Sequence, residues 1–343
     1  MLVLGIETSC DETAAAVVEN GLVVRSNIVA SQYDLHGPFG GVVPEVAARA
    51  HAERITAVVD ESLRAANCRP ADLGGIGVVN RPGLVGALLV GLSAAKGFAL
   101  AWDLPLVGVD HIAAHVYAAH LAGFHTYPQV ALIVSGGHTC LYRVAGPQQL
   151  TVLGQTTDDA AGEAFDKVAQ LLGLGFPGGP ALARCAEKGD PQAVHFSRCG
   201  PNEKLNATPN FSFSGLKTAV YYHLRGPGGG RTPREISEQE RADVAASFQE
   251  AACEILVEKT LAAAQRGAIQ AVTVGGGVAC NKRLRALFAE RARRYTPAIE
   301  VFFPPAEFCT DNAAMSAGLA FQRLHKGERD ALDLEVDPTP KRA

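Results

Sequence analysis

VALIVSGGHTCLYRV, residues 130–144, reads as an apolar strand, a small polar turn and a second strand. The chain opens in the same way, with LVLGIET (2–8), AAAVVEN (14–20) and LVVRSNIVA (22–30) as three β-rich runs separated by turn residues. Outward from the first three runs, residues 45–67 read as an amphipathic helix, GGIGVV (74–79) as a buried strand and 82–102 as a second helix, with Pro82 suited to its first turn. LPLVGV (104–109) is a further strand that leads into HIAAHVYAAH (111–120). After residue 130 the order begins again. LTVLGQTTDD (150–159) supplies a third strand, Asp158 or Asp159 caps a helix at 160–172, and helices at about 238–266, 281–295 and 310–325 alternate with the strands AIQAVTVGG (268–276) and IEVFF (299–303). Two tandem β-β-β-α-β-α-β-α units predict a duplicated, two-domain α/β protein with an interdomain cleft. The expected division is 1–127 joined by the last helix at 310–327, then 128–309, with 328–343 a flexible tail. RGPGGGRTPR (225–234) has the composition of a mobile surface loop.

Composition narrows the function classes. With 343 residues, 48% hydrophobic, 19% charged and a net charge of −4, the chain has no global basic field for nucleic acid. Local clusters at Lys282–Arg285 and Arg291–Arg294 are small enough to be solvated helix faces. Eight scattered cysteines without a C-x-x-C pair, and a start that reads directly as a strand, fit a reduced cytoplasmic protein. LVGALLVGLSAAKGFALAW (84–102) has the length of a membrane span, but Lys96, Ser93 and three glycines make it a buried helix instead.

Three turns rich in small residues follow strands: GIETSCDET (5–13), VSGGHTCL (134–141) and VGGGVACN (274–281). Glycine lets backbone approach a ligand, and successive N–H groups make an anion-binding concavity. The formal G-x-G-x-x-G at Gly173–Gly178 follows a helix and contains Pro177, so it is no dinucleotide fingerprint. His111 and His115 stand at i, i+4 and share a helix face, whereas His120 lies near the opposite one. The spacing suits a metal pair or an ordinary structural pair equally. Asp311, at the entrance to the last helix, is a candidate third ligand; two histidines and a carboxylate suit iron or zinc. Ile112 stands where a zinc protease carries its glutamate base, which excludes that chemistry. Ser214-x-x-Lys217 lacks the partner motifs of a serine acyl-enzyme. Asp159, Glu163 and Asp166 share a helix face; helix capping accounts for the first two and leaves Asp166 open.

LGIETSCDET, GGVVPEVAAR, PGLVGALLVG, HIAAH, VSGGHT, DDAAGEAFDK, PGGP, FSFSGLKT, GGGVACN and EFCTDNAAM occur in this order over nearly the whole chain. Together they resemble the bacterial TsaD family, catalytic subunits of tRNA N6-adenosine threonylcarbamoyltransferase. The resemblance implies the duplicated actin/Hsp70/sugar-kinase (ASKHA, RNase H-like) fold. It also implies transfer of L-threonylcarbamoyl from threonylcarbamoyl-AMP to N6 of adenosine 37 in tRNAs reading ANN codons. The implied metal ligands are His111, His115 and Asp311, holding one divalent ion per subunit, Fe(2+) or alternatively Zn(2+). The implied substrate contacts are Val134, Ser135, Gly136, Gly137, His138, Asp166, Gly179 and Asn281, with Glu12 a further contributor. No general base is assigned, and no membrane is involved. Implied partners are TsaB-type and TsaE-type subunits, with a TsaC-type enzyme supplying the adenylate. The chain departs from the family pattern at Arg81, in a turn usually A-G-P-G-L, at Ala183, where some members carry aspartate, and at Cys140, usually glutamine. The competing reading is an ATP-dependent phosphotransferase or ATPase of the same superfamily, which has no need of H-x-x-x-H.

Overall fold

The computed structural model describes residues 1–199, 204–226 and 235–339. The glycine-rich loop expected to be mobile lies, from residue 227 to 234, outside the described residues, as does the end of the chain from 340. The chain divides into two compact units: Met1–His125 with Ala145–Leu150 and Pro304–Ala343, and Thr126–Val144 with Thr151–Phe303.

The first unit runs β1 (Leu2–Glu7), β2 (Glu12–Glu19), β3 (Val23–Ser31), α1 (Tyr33–His36), α2 (Pro44–Ala65), β4 (Leu73–Arg81), α3 (Val85–Trp102), β5 (Leu106–Asp110) and α4 (His111–Leu121). The second contains β6 (Gln129–Val134), most of β7 (Thr139–Gly146) and β8 (Gln149–Gln155), then α5 (Ala161–Leu171), α6 (Gly178–Ala186), α7 (Ser214–Arg225), α8 (Glu238–Arg266), β9 (Ala271–Gly275), α9 (Lys282–Ala292) and β10 (Glu300–Phe302). The chain then returns to the first unit with α10 (Ala306–Cys309) and α11 (Ala313–Leu324). Both sheets have five strands, ordered β3-β2-β1-β4-β5 and β8-β7-β6-β9-β10. In each, the opening strand pairs antiparallel with the next and parallel with the strand that follows the helices, as β1 does with β2 and β4, and β6 with β7 and β9. The repeat read from the turns is therefore a repeat of topology. Three helices, α5 to α7, precede α8 in the second unit, where the tandem pattern anticipates one.

Strand periodicity divides the first core. Leu4, Ile6, Ala15, Val17, Ile76 and Val78 face α2 and α3, whereas Val3, Ala16, Val18, Val79 and Val109 face α4 and α11. With both faces covered, the strands are nearly all apolar. Gly5 lies on the α11 face, where a Cβ would stand 2.4 Å from the Ala313 carbonyl oxygen and 2.7 Å from the Ala317 nitrogen. Only a missing side chain lets the helix sit so close.

Helix α3 starts at Val85, three residues later than Pro82 suggests. Leu84 N–H donates to the Ser9 carbonyl at 2.8 Å and its backbone is extended, which keeps it outside the helix. Among the described residues α3 is the one helix long and apolar enough to cross a membrane. Ala87, Leu88, Leu92, Ala95 and Ala99 bury one side of it in the first unit.

The expectation of a flexible tail from residue 328 does not hold through the described part. Asp330 accepts from Arg323 at 2.8 and 3.0 Å and from Gly108 N–H at 2.7 Å, and its own N–H donates to Leu106 O at 2.8 Å. Asn80 donates to Glu335 O at 2.9 Å and accepts from Asp337 N–H at 2.9 Å through its own carbonyl. Leu334 and Val336 pack against the core. This strap covers the edge strand β5, which would otherwise present unpaired backbone.

Candidate metal centre and substrate turns

Helix α4 begins without a loop after β5 because Asp110 caps it, accepting from Ile112 and Ala113 N–H at 3.0 Å each. That cap makes His111 the first helical residue and places His115 one turn further on, with the rings edge to face at 4.6 Å. Asp311 directly precedes Asn312, whose side chain caps α11 through Met315 N–H at 3.1 Å. The Asp311 carboxylate lies 3.0 Å from His115 Nε2 and 3.7 Å from His111 Nε2. Three ligand atoms, one from each residue, lie within 4.8 Å of one another. Ligands about 2.1 Å from a common ion stand roughly 3.0–3.4 Å apart, so the 3.0 Å Asp311–His115 separation fits Fe(2+) or Zn(2+) as it stands and the 3.7 Å Asp311–His111 separation is slightly wide.

Glu7, at the end of β1 and 0% exposed, turns this cluster into a built site. One of its oxygens accepts from Ser9 N–H at 2.6 Å, and the other meets His111 Nδ1 at 3.0 Å. Ser9 Oγ also lies 3.1 Å from that nitrogen. A carboxylate on Nδ1 fixes the tautomer that points Nε2 at a metal. Burial pushes the His111 imidazole down, but Glu7 and then Asp311 outweigh it and hold its pKa at about 9. Burial, with Asp11 and Asp311 adding to it, pushes Glu12 up to about 8. Asp11 is likewise raised by burial and by Asp311. Burial first, and neighbouring carboxylates second, disfavour negative charge here, and a divalent cation would relieve both. Sequence reading missed Glu7, although it stands in the polar turn already singled out.

In the second unit the Ser135–His138 turn closes on itself, with Ser135 N–H donating to His138 O at 2.8 Å and His138 N–H to Ser135 Oγ at 3.2 Å. The first turn of α5 grips it from behind: Gly162 and Glu163 N–H donate to Ser135 O and Gly136 O, each at 3.1 Å. Gly136 and Gly137 are exposed, with nothing within 4 Å of where a Cβ would stand. Gly276 (φ +87°) packs on the end of β6, where a Cβ would meet the Val134 carbonyl oxygen at 2.4 Å. The short turn Gly277–Cys280 packs on α5 and β6, bringing the VGGGVACN and VSGGHT turns to the same end of the sheet. Asn281 is engaged structurally: its carbonyl caps α9 through Arg283 and Leu284 N–H at 2.9 and 3.1 Å, and its amide donates to Gln249 at 2.8 Å. Asp166 holds Gly179 N–H at 3.0 Å, so these two expected contacts form one pair.

Asp158 and Asp159 do not cap α5, whose N-cap is Ala160. Asp158 instead caps α7 from a distance, accepting from Phe213 and Ser214 N–H at 2.8 and 3.2 Å and from Ser212 Oγ at 2.5 Å. Asp159 pairs with Lys217 at 2.6 Å and Lys167 at 3.1 Å, which assigns Lys217 a partner other than Ser214. Among the described residues, four of the six cations at 282–285 and 291–294 pair locally: Lys282 with Glu187 at 3.2 Å, Arg283 with Glu250 at 2.5 Å, Arg291 with Glu254 and Glu258 at 3.3 Å each, and Arg294 with Glu290 at 2.5 Å.

Comparison with known proteins places the chain in a family. The chain is 49% identical over 338 residues to a tRNA N6-adenosine threonylcarbamoyltransferase of Syntrophotalea carbinolica, covering 98% of this chain and 95% of that one. It is 51% identical over 336 residues to the enzyme of that name from Geobacter metallireducens, covering 98% and 96%. In fold it is similar to the (R)-2-hydroxyglutaryl-CoA dehydratase component A of Acidaminococcus fermentans, with a TM-score of 0.53 at 15% identity over 95% of this chain and 99% of that one. That likeness supports the actin-like α/β fold. The family model described as "TsaD: tRNA N6-adenosine threonylcarbamoyltransferase" matches residues 23–318, and the chain belongs to this family of tRNA-modifying transferases.

Proposed function

We propose that the chain transfers L-threonylcarbamoyl from threonylcarbamoyl-AMP to N6 of adenosine 37 in tRNAs reading ANN codons, with release of AMP. The His111–His115–Asp311 cluster, backed by Glu7, carries this reading. These three residues would hold one divalent ion, Fe(2+) or alternatively Zn(2+). When bound, that ion supplies Lewis-acid polarisation of the carbamoyl carbonyl. The remaining work falls to the chain's own groups. The N6 amine attacks the carbonyl carbon, the C–O bond to phosphate breaks, the proton leaves N6, and AMP departs. Exposed Gly136 and Gly137 would offer backbone N–H groups to phosphate oxygens, with α5 holding the turn through its carbonyls. Val134, Ser135, His138, Asp166, Gly179 and Asn281 line or brace the adenylate site. Asp166 acts by fixing Gly179, and Asn281 by fixing the start of α9. Placing amine and carbonyl together accounts for much of the rate.

The reaction runs in the cytoplasm with TsaB-type and TsaE-type partner subunits, and a TsaC-type enzyme supplies the adenylate. The test incubates the assembled proteins with Fe(2+), threonylcarbamoyl-AMP and unmodified tRNA. Modified adenosine and AMP are expected in equal amounts, and His111→Ala, His115→Ala and Asp311→Ala are each expected to be nearly inactive. Full activity in those variants would remove the metal-dependent mechanism. Phosphorylation of a small substrate by ATP without modified tRNA would remove the transferase reading.

A further inference from the structure

Helix α7 has two sides. Leu216, Val220 and Leu224 are buried, while Lys217, Thr218, Tyr221, Tyr222 and Arg225 follow i, i+1, i+4, i+5, i+8 along the other side. That second stripe and Lys167 of α5 line a cavity of about 660 Å³, in the range that accepts a nucleotide-sized group. The Arg225 guanidinium lies over the Tyr221 ring at 5.0 Å, and Tyr221 meets Tyr222 edge to face at 5.7 Å. Tyr222 is 47% exposed. Three cations therefore border two tyrosines, against two carboxylates: Asp159, shared by both lysines, and Glu163, which pairs with Lys167 at 2.7 Å. Among the described residues Arg225 has no carboxylate within ion-pair distance, in contrast to Arg283 and Arg291 of α9.

We infer that this cavity between α5 and α7 is a contact surface for the tRNA, stacking an unpaired base on the tyrosines and placing Arg225 on a backbone phosphate. The inference rests on the tRNA reading proposed above. Aromatic faces beside a guanidinium with no carboxylate partner among the described residues are a combination that suits single-stranded RNA, because every base offers a π-face and every linkage a charge. Arg283 and Arg291 of α9, already paired with carboxylates, offer less charge to a phosphate. Lys167 and Lys217, tied to Asp159, form a fixed floor and not a mobile basic patch.

The test uses the full chain assembled with its partner subunits and an unmodified transcript of an ANN-reading tRNA, with fluorescence anisotropy read at several salt concentrations. Arg225→Ala is expected to weaken binding by about tenfold and to lower the slope of log K against log salt by about one. Arg225→Lys is expected to keep the slope. Tyr221→Ala and Tyr222→Ala are each expected to lose about tenfold with the slope unchanged. AMP affinity and melting temperature serve as controls, both expected to match the parent protein. Unaltered tRNA affinity and slope in all the alanine variants would overturn the inference while leaving the transferase reading intact. Loss of AMP affinity with tRNA binding preserved would also overturn it, and assign the cavity to a small nucleotide. A parent assembly that binds no tRNA would overturn both.

Discussion

Replacing Glu7 by glutamine tests whether the carboxylate behind His111 builds the metal site or merely fills space. Glu7 is fully buried and makes two contacts, to Ser9 N–H at 2.6 Å and to His111 Nδ1 at 3.0 Å. Glutamine keeps the shape but has one accepting oxygen, so either the Ser9 N–H or the imidazole faces an amide NH2. Losing a buried, charge-assisted hydrogen bond costs about 1.5–3 kcal/mol. The cost falls on the orientation and basicity of His111, so the affinity for Fe(2+) or Zn(2+) should drop by about 10–100-fold. Competition titration against a chelator of known affinity measures this directly. A second reading comes from metal-free protein by NMR. The His111 pKa of about 9 is raised chiefly by Glu7 working against burial, and in Glu7→Gln it should fall toward the ordinary histidine value. Because that pKa is raised on folding, the imidazolium's contribution to stability is complete below pH ~6.5 and is lost as pH rises through about 9. The variant should lack this alkaline loss. Metal affinity within threefold of the parent, together with an unmoved imidazole, would refute the assigned role.

Gly5→Ala should destabilise the protein by at least ~2 kcal/mol, since its Cβ meets backbone atoms of α11 that cannot step aside, and thermal unfolding checks it. Asp158→Ala removes the acceptor for two N–H groups at the start of α7 and should cost about 1–2 kcal/mol by urea titration. Burial pushes the Asp330 carboxyl up, but Arg323 and the Gly108 N–H outweigh it and hold its pKa below the usual range. Its contribution is therefore present above pH ~3.9 and lost as pH falls through the depressed value. Asp330→Asn should lose about 1 kcal/mol at neutral pH, where the pair is partly screened, and should flatten the acid limb of the stability curve below pH 4.

The order of elements was legible because both halves repeat one pattern of apolar runs and polar turns, and buried parallel strands announce themselves as unbroken Val, Ile and Leu. The His111–His115 pair was legible because helical spacing is local. Glu7 was not, because its contact with His111 joins residues from β1 and the start of α4, and only the strand order β1-β4-β5 brings those ends together. Asp158 was misplaced for a similar reason: it precedes one helix in the chain but caps another in space. The strap at 330–337 did carry a signal, since from Leu332 to Asp337 apolar and acidic residues alternate with a strand's period. Composition alone made it resemble a tail. Arg81 is explained in part: it lies 3.6 Å from Asp110, the residue that caps the histidine helix.

Helix α11 covers a face of the sheet built from β1, β2, β4 and β5, yet its residues, 313–324, are made after the whole of the second unit. Synthesis from the N-terminus therefore completes the sequence of the second unit while Val3, Val18, Val79 and Val107 still await their cover. The first unit is therefore completed after the second. A chain that stops early carries both histidines but neither Asp311 nor the helix that seals the sheet, and it displays an apolar surface of the kind chaperones and proteases recognise. Completion of the ligand set and concealment of that surface thus depend on the same stretch of chain, residues 311–324.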